Sequence, residues 1–166
     1  MSKSVDDLWA AFAGEAQANR KYLAFAKKAD DEGYPQIARL FRAAAHAETV
    51  HALAHFRALD EIKTTAENLQ TAVNAENYEW VTMYPAFIED AQADGNKRAQ
   101  NSFRNAMAAE KIHEQLYSEA LANIANQPTE VYAYFVCPVC GHTVANNAPE
   151  RCPVCGTPGT RFECIS

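Results

Sequence analysis

Through the first 126 or so positions, apolar residues recur at three- and four-residue steps, the spacing of one face of an α-helix. The pattern predicts four helices. The first starts at Ser4 or Asp6, runs to about Asp31 and stops at Gly33. The second begins near Pro35, a residue tolerated in a helix's first turn, and runs to about Ile62. After a polar connection from Lys63 to Asn68, the third runs to about Asp94 and ends at Gly95. The fourth covers about Asn96 to Asn126. Pro85 falls inside the third helix and is expected to kink it, because proline removes a backbone donor and crowds the preceding turn.

The core stripes are Leu8, Phe12, Glu15, Asn19, Tyr22 and Ala26 in the first helix, and Ile37, Phe41, Ala44, Glu48, His51 and His55 in the second. They are Leu69, Val73, Glu76, Trp80, Met83 and Phe87 in the third, and Phe103, Ala106, Glu110, His113, Tyr117, Leu121 and Ile124 in the fourth. Each stripe is interrupted near its middle by a glutamate. An isolated buried carboxylate is very costly, so four of them, one per helix, ask for a shared cation.

An internal repeat sharpens this reading. The segment from Phe41 through Glu48 to His51 matches that from Phe103 through Glu110 to His113. A Glu-x-x-His pair projects both side chains from one helix face. Alone, such a pair in an Ala-rich helix is usually solvated. Two at equivalent positions, each preceded by a core-face glutamate (Glu15, Glu76), match the donor set of di-iron and di-manganese carboxylate bundles. Glu79, three residues after Glu76, adds a fifth carboxylate, unless it is a surface group beside Trp80. Mixed carboxylate and imidazole donors suit iron or manganese better than zinc.

Composition changes abruptly after Asn126. The remainder holds five of the seven prolines and all five cysteines. Two domains are expected: a helical one over residues 1–128 and a cysteine module over 129–166. The module carries Cys137-Pro-Val-Cys140-Gly and Cys152-Pro-Val-Cys155-Gly, two identical knuckles that point to one tetrahedral thiolate site. Zinc and iron share that geometry; a redox-capable pair of metals elsewhere in the chain favours iron. Cys164 is left over and reads as a free thiol.

These motifs, together with Glu76-Asn-Tyr-Glu79-Trp, Met83-Tyr84-Pro85 and Ala148-Pro149-Glu150-Arg151-Cys152-Pro153, resemble the rubrerythrins over nearly the whole chain. The resemblance implies an all-α, ferritin-like four-helix bundle with a small C-terminal rubredoxin-like domain. It implies that Glu15, Glu48, His51, Glu76, Glu79, Glu110 and His113 ligate two irons in a carboxylate-bridged site, one of which exchanges Glu79 for His51 on reduction. A third iron would sit at Cys137, Cys140, Cys152 and Cys155. It places Tyr22 and Tyr84 beside the ligand carboxylates, where ordinary core packing is the competing account. His46 and His55 read as packing or solvent residues, and His142 as exposed near the thiolate metal.

The implied activity is reduction of hydrogen peroxide to water. Electrons would pass through the four-cysteine iron from an external donor, a rubredoxin or an NAD(P)H-dependent reductase. The competing accounts are a ferroxidase, iron-storage or oxidase bundle, and a non-enzymatic metal-binding protein with a zinc-ribbon tail. Since helix four continues about 16 residues, roughly 24 Å, past Glu110, the module is expected far from its own chain's ligands unless the linker doubles back. A head-to-tail homodimer would solve that. The net charge of −6 argues against nucleic acid and anionic membranes. No apolar stretch approaches the length of a membrane span, and Met1 to Asp7 lacks a signal-peptide core, so a cytoplasmic protein is expected.

Overall fold

The computed structural model describes residues 2–126 and 131–166. The chain forms two compact units, Met1–Lys63 and Thr64–Ser166.

The first unit is a hairpin of α1 (Lys3–Asp31) and α2 (Pro35–Ala58). Gly33 turns the chain between them at φ 81°, a left-handed conformation that glycine adopts without a Cβ clash. Alanines at Ala26, Ala29, Ala38, Ala45 and Ala52 are its buried apolar residues, so the backbones approach closely. Asn19, buried mid-stripe, donates through Nδ2 to the Ala45 carbonyl at 2.6 Å and to Thr49 Oγ1 at 2.8 Å. Those bonds set the register of the two helices. α2 ends four residues before the expected Ile62: Leu59 and Asp60 wrap back onto the carbonyls of His55 and Arg57, with Asp60 at φ 55°.

In the second unit, Thr64 starts α3 (Thr65–Tyr78) with a reciprocal capping box to Glu67. The helical path continues through a π-helical turn at Glu79–Met83 into α4 (Tyr84–Ala93), and α5 (Lys97–Ala122) packs against it. The expected proline effect takes this π form. Pro85 offers no N–H, and the preceding amide, Tyr84 N–H, reaches back five residues to the Glu79 carbonyl. A widened turn of this kind absorbs the missing donor. Glu114 on α5 clamps the region, accepting from Trp80 Nε1 at 2.6 Å and Asn77 Nδ2 at 3.1 Å.

The cysteine module follows. Its strands β1 (Tyr134–Val136), β2 (Thr143–Ala145) and β3 (Glu163–Ile165) form an antiparallel sheet in the order β2-β1-β3. The domain boundary expected at residues 128 and 129 lies outside the described residues. Among the described residues no helix is long and apolar enough to cross a membrane.

Candidate metal centres

The two knuckles fold identically. Gly141 N donates to the Cys137 carbonyl and Gly156 N to the Cys152 carbonyl, each at 2.9 Å. Both glycines have positive φ, 81° and 75°. The sulfurs interleave across the knuckles: Cys137 Sγ lies 3.5 Å from Cys155 Sγ, and Cys140 Sγ 3.5 Å from Cys152 Sγ. A tetrahedron with metal–sulfur bonds of about 2.3 Å has edges near 3.7 Å, so the four thiols fit one ion. Burial pushes the Cys140 thiol up. At Cys155 burial acts the same way but is outweighed by hydrogen bonding to Thr157 and by the neighbouring cysteines, which bring the thiol down to about 6. Cys164 is exposed on β3.

Each unit also presents a carboxylate–imidazole cluster, its donor atoms within 4.8 Å of one another: Glu15, Glu48 and His51 in the first, and Glu76, Glu110 and His113 in the second. In both, the histidine Nδ1 meets the glutamate three residues earlier, at 2.9 Å for His51–Glu48 and 2.7 Å for His113–Glu110. Identical geometry follows from identical i, i+3 spacing on the repeat-related helices α2 and α5.

The second cluster carries frustrated charge. Glu76 is pushed up to about 7, first by burial and then by the Glu110 carboxylate. Glu79 is raised by burial and the same neighbour. Tyr84 is raised by burial and by the charges of Glu79, Glu110 and Glu76, which puts its phenol in their electrostatic reach. His113 is raised chiefly by its bond to Glu110. Carboxylates that cannot all ionise without a cation are a donor set suited to one. Tyr22 instead packs in an aromatic group with Phe25 and Phe41.

Metal-free protein carrying Cys155→Ser, which removes the low thiol that would favour high pH, is therefore expected to melt at a higher temperature near pH 6 than near pH 8. Glu76 and His113 both bind protons more tightly folded than unfolded, so each contributes stability at low pH that is lost as pH rises through its folded value. Calorimetry of chelated protein checks the sign.

His113 also reaches the module. Its Nε2 lies 3.2 Å from the Gly141 carbonyl and 3.0 Å from Thr143 Oγ1, and Gly141 stands over Ala109 of α5. The module thus rests on its own chain's ligand helix. His142, expected from the sequence to be exposed, is instead buried at 6% exposure. Burial and the neighbouring His113 hold its imidazole below the usual range.

The rubrerythrin family model matches residues 6–121, and the model of the rubrerythrin rubredoxin-like domain matches 135–163. The chain belongs to the rubrerythrin family. Rubrerythrin of Porphyromonas gingivalis is 38% identical over 180 residues, covering 98% of this chain and 90% of the relative. Nigerythrin of Nitratidesulfovibrio vulgaris is 36% identical, covering 98% and 86%. Among solved structures, nigerythrin in its fully reduced, all-ferrous state matches with a TM-score of 0.60 at 35% identity, covering 99% of this chain and 88% of that one. The ferritin-like helical fold with a four-cysteine tail is that of this family. Its members carry a di-iron site in the helical domain and iron at the four cysteines, and this rubrerythrin has donors for both. The family is one of di-iron oxidoreductases of oxidative-stress defence.

Proposed function

We propose that this rubrerythrin reduces hydrogen peroxide to water, H2O2 + 2 e− + 2 H+ → 2 H2O, with electrons entering through the four-cysteine iron. The supporting observation is the His113 imidazole. Its Nδ1 faces the Glu110 and Glu76 carboxylates, and its Nε2 meets the module loop that bears Cys140. A storage bundle has no use for an electron module against its ligand helix.

The residues proposed to hold the di-iron pair are Glu15, Glu48, His51, Glu76, Glu79, Glu110 and His113, with the thiolate iron on Cys137, Cys140, Cys152 and Cys155. When bound, a ferrous pair supplies two electrons and Lewis acidity for breaking the O–O bond. The protein does the rest. Glu76, Glu79 and Glu110 would hold the pair and balance its cationic charge. Tyr84 keeps its phenolic proton at neutral pH, available as a hydrogen-bond donor beside the carboxylates. The Gly141 carbonyl and Thr143 hydroxyl fix the His113 ring, so that its other nitrogen points at Glu110.

The external donor is proposed to be a rubredoxin or an NAD(P)H-dependent reductase docking at the module. Stopped-flow mixing of the fully reduced protein with peroxide and, separately, with dioxygen tests the assignment. Oxidation by peroxide is expected to be much the faster; equal rates would leave an oxidase.

A further inference from the structure

We propose that metal at the four cysteines tightens metal binding at Glu76, Glu110 and His113, with Thr143 as the positioning residue that carries the effect. The inference rests on the di-iron reading of those donors and adds how their affinity is set.

The hydrogen bonds around His113 Nε2 leave one place for its proton. The Thr143 hydroxyl has a single hydrogen, which it donates to the Gly141 carbonyl at 3.0 Å. Its oxygen, 3.0 Å from His113 Nε2, therefore accepts there. The Gly141 carbonyl, at 3.2 Å, has no hydrogen to give. Turning the hydroxyl toward Nε2 instead would set the lone pairs of that nitrogen and of the Gly141 oxygen face to face. Nε2 thus carries the hydrogen, and Nδ1 of the neutral ring keeps its lone pair. That lone pair lies 2.7 Å from Glu110 Oε2 and 3.9 Å from Glu76 Oε2, the side on which a cation would be held.

Both acceptors belong to the module, and the module depends on its metal. Its buried core is Cys137, Cys140 and Cys152, with Val154, Cys155 and Phe162 packed against them. Its three strands have three residues each. A unit this small, with ligands for a core, folds as it binds metal. The Nε2 acceptors are tied to the first knuckle. Gly141 N donates to the Cys137 carbonyl, Cys137 N donates to the His142 carbonyl, and Thr143 pairs with Val136. Metal at the sulfurs therefore sets the two oxygens that orient His113.

The repeat-related histidine shows what the module adds. His51 makes the same i, i+3 bond to Glu48, at 2.9 Å, but its side chain is 56% exposed. Among the described residues no hydrogen bond holds its Nε2. The His113 side chain is 26% exposed and held at both nitrogens. Groups that orient a ligating imidazole in this way are worth about 10- to 100-fold in metal affinity. Two neutral acceptors sharing one N–H belong near the lower end, about 10-fold. The helical donors thus bind without the module, but less tightly. Linkage makes the effect reciprocal: a cation at Glu76, Glu110 and His113 tightens the thiolate ion by the same factor.

Manganese titration of the full chain, reduced and freed of metal, tests this. Mn2+ prefers oxygen donors and zinc takes the thiolates, so the two sites can be filled separately. Free Mn2+ is followed by electron paramagnetic resonance, first with the cysteine site empty and then with one equivalent of zinc. Zinc is expected to tighten one bound Mn2+ about 10-fold. Thr143→Val keeps the side chain's shape and its fit to a strand but removes the acceptor. With the cysteine site empty it should match the wild type; with zinc its gain should stay below about 3-fold. Thr143→Ser, which restores a hydroxyl, should recover most of the gain, and zinc content should be equal in all three proteins. Identical wild-type curves with and without zinc would overturn the coupling and leave the di-metal reading standing. A full gain in Thr143→Val would overturn the part given to Thr143. No Mn2+ bound in either state would sink the di-metal reading, and the coupling with it.

Discussion

A Glu110→Gln protein is expected to purify with about one iron per chain, that of the cysteine module, in place of about three. Its peroxide turnover should fall by about 100-fold or more, exceeding the roughly 10- to 100-fold typical of residues that merely support a ligand. Glu110 is the hub of the second cluster. It hydrogen-bonds His113 at 2.7 Å, and its charge raises Glu76, Glu79 and Tyr84. The amide keeps the volume but removes the anion, so cation affinity falls while packing survives. Metal analysis with electron paramagnetic resonance reads the loss directly. Glu114→Gln is the informative contrast. Glu114 lies one turn on and faces Asn77 and Trp80. Its replacement should leave the iron count near wild type while lowering stability by about 1–3 kcal/mol. Equal iron loss in both variants would mean that Glu110 acts through helix packing and not as a donor.

The contrast between these neighbours shows what a sequence makes legible. Glu110 could be found because it breaks an apolar stripe and recurs, with its histidine, at Glu48 and His51. Periodicity and repetition are local properties, and both clusters and both knuckles followed from them. Glu114 could not be found, since its partners Asn77 and Trp80 lie on another helix and no spacing rule links them. The π turn at Glu79–Met83 was half visible. Pro85 announced a disturbed helix, but whether the chain bends or widens depends on which carbonyl the Tyr84 amide reaches. The seating of the module was hidden for the same reason as Glu114. Helix length said it should lie far from Glu110, while the contact from Gly141 and Thr143 to His113 joins residues 28 and 30 positions apart that no spacing rule links. His142, polar and next to glycine, looked like a surface residue, yet it is buried.

Gly159→Ala is expected to cost the protein its thiolate iron while sparing the helical ligands. A Cβ at Gly159 would run into the Pro149 carbonyl oxygen and lie 2.9 Å from its carbon, with the Glu150 carbonyl oxygen at 3.2 Å. None of these can swing aside as a side chain could. Gly159 N also donates to the Glu150 carbonyl at 2.8 Å, next to the bridge between Arg151 and Pro158. Accommodating one methyl means parting the strand segment that delivers Cys152. Overpacking usually costs about 1–3 kcal/mol, and a clash against fixed backbone belongs at or above the top of that range. In a module of some 38 residues built around four sulfurs, metal binding and folding are one equilibrium. The red colour of the ferric thiolate centre should therefore be lost, and turnover driven by an external donor should fall at least about 10-fold. The chemically reduced helical site should still consume peroxide in a single turnover. Gly14→Ala on α1, with nothing within 4 Å of the added carbon, should keep both centres. Full colour in Gly159→Ala would show that the loop between Pro149 and Gly159 yields, and that Cys152 is held by its knuckle alone.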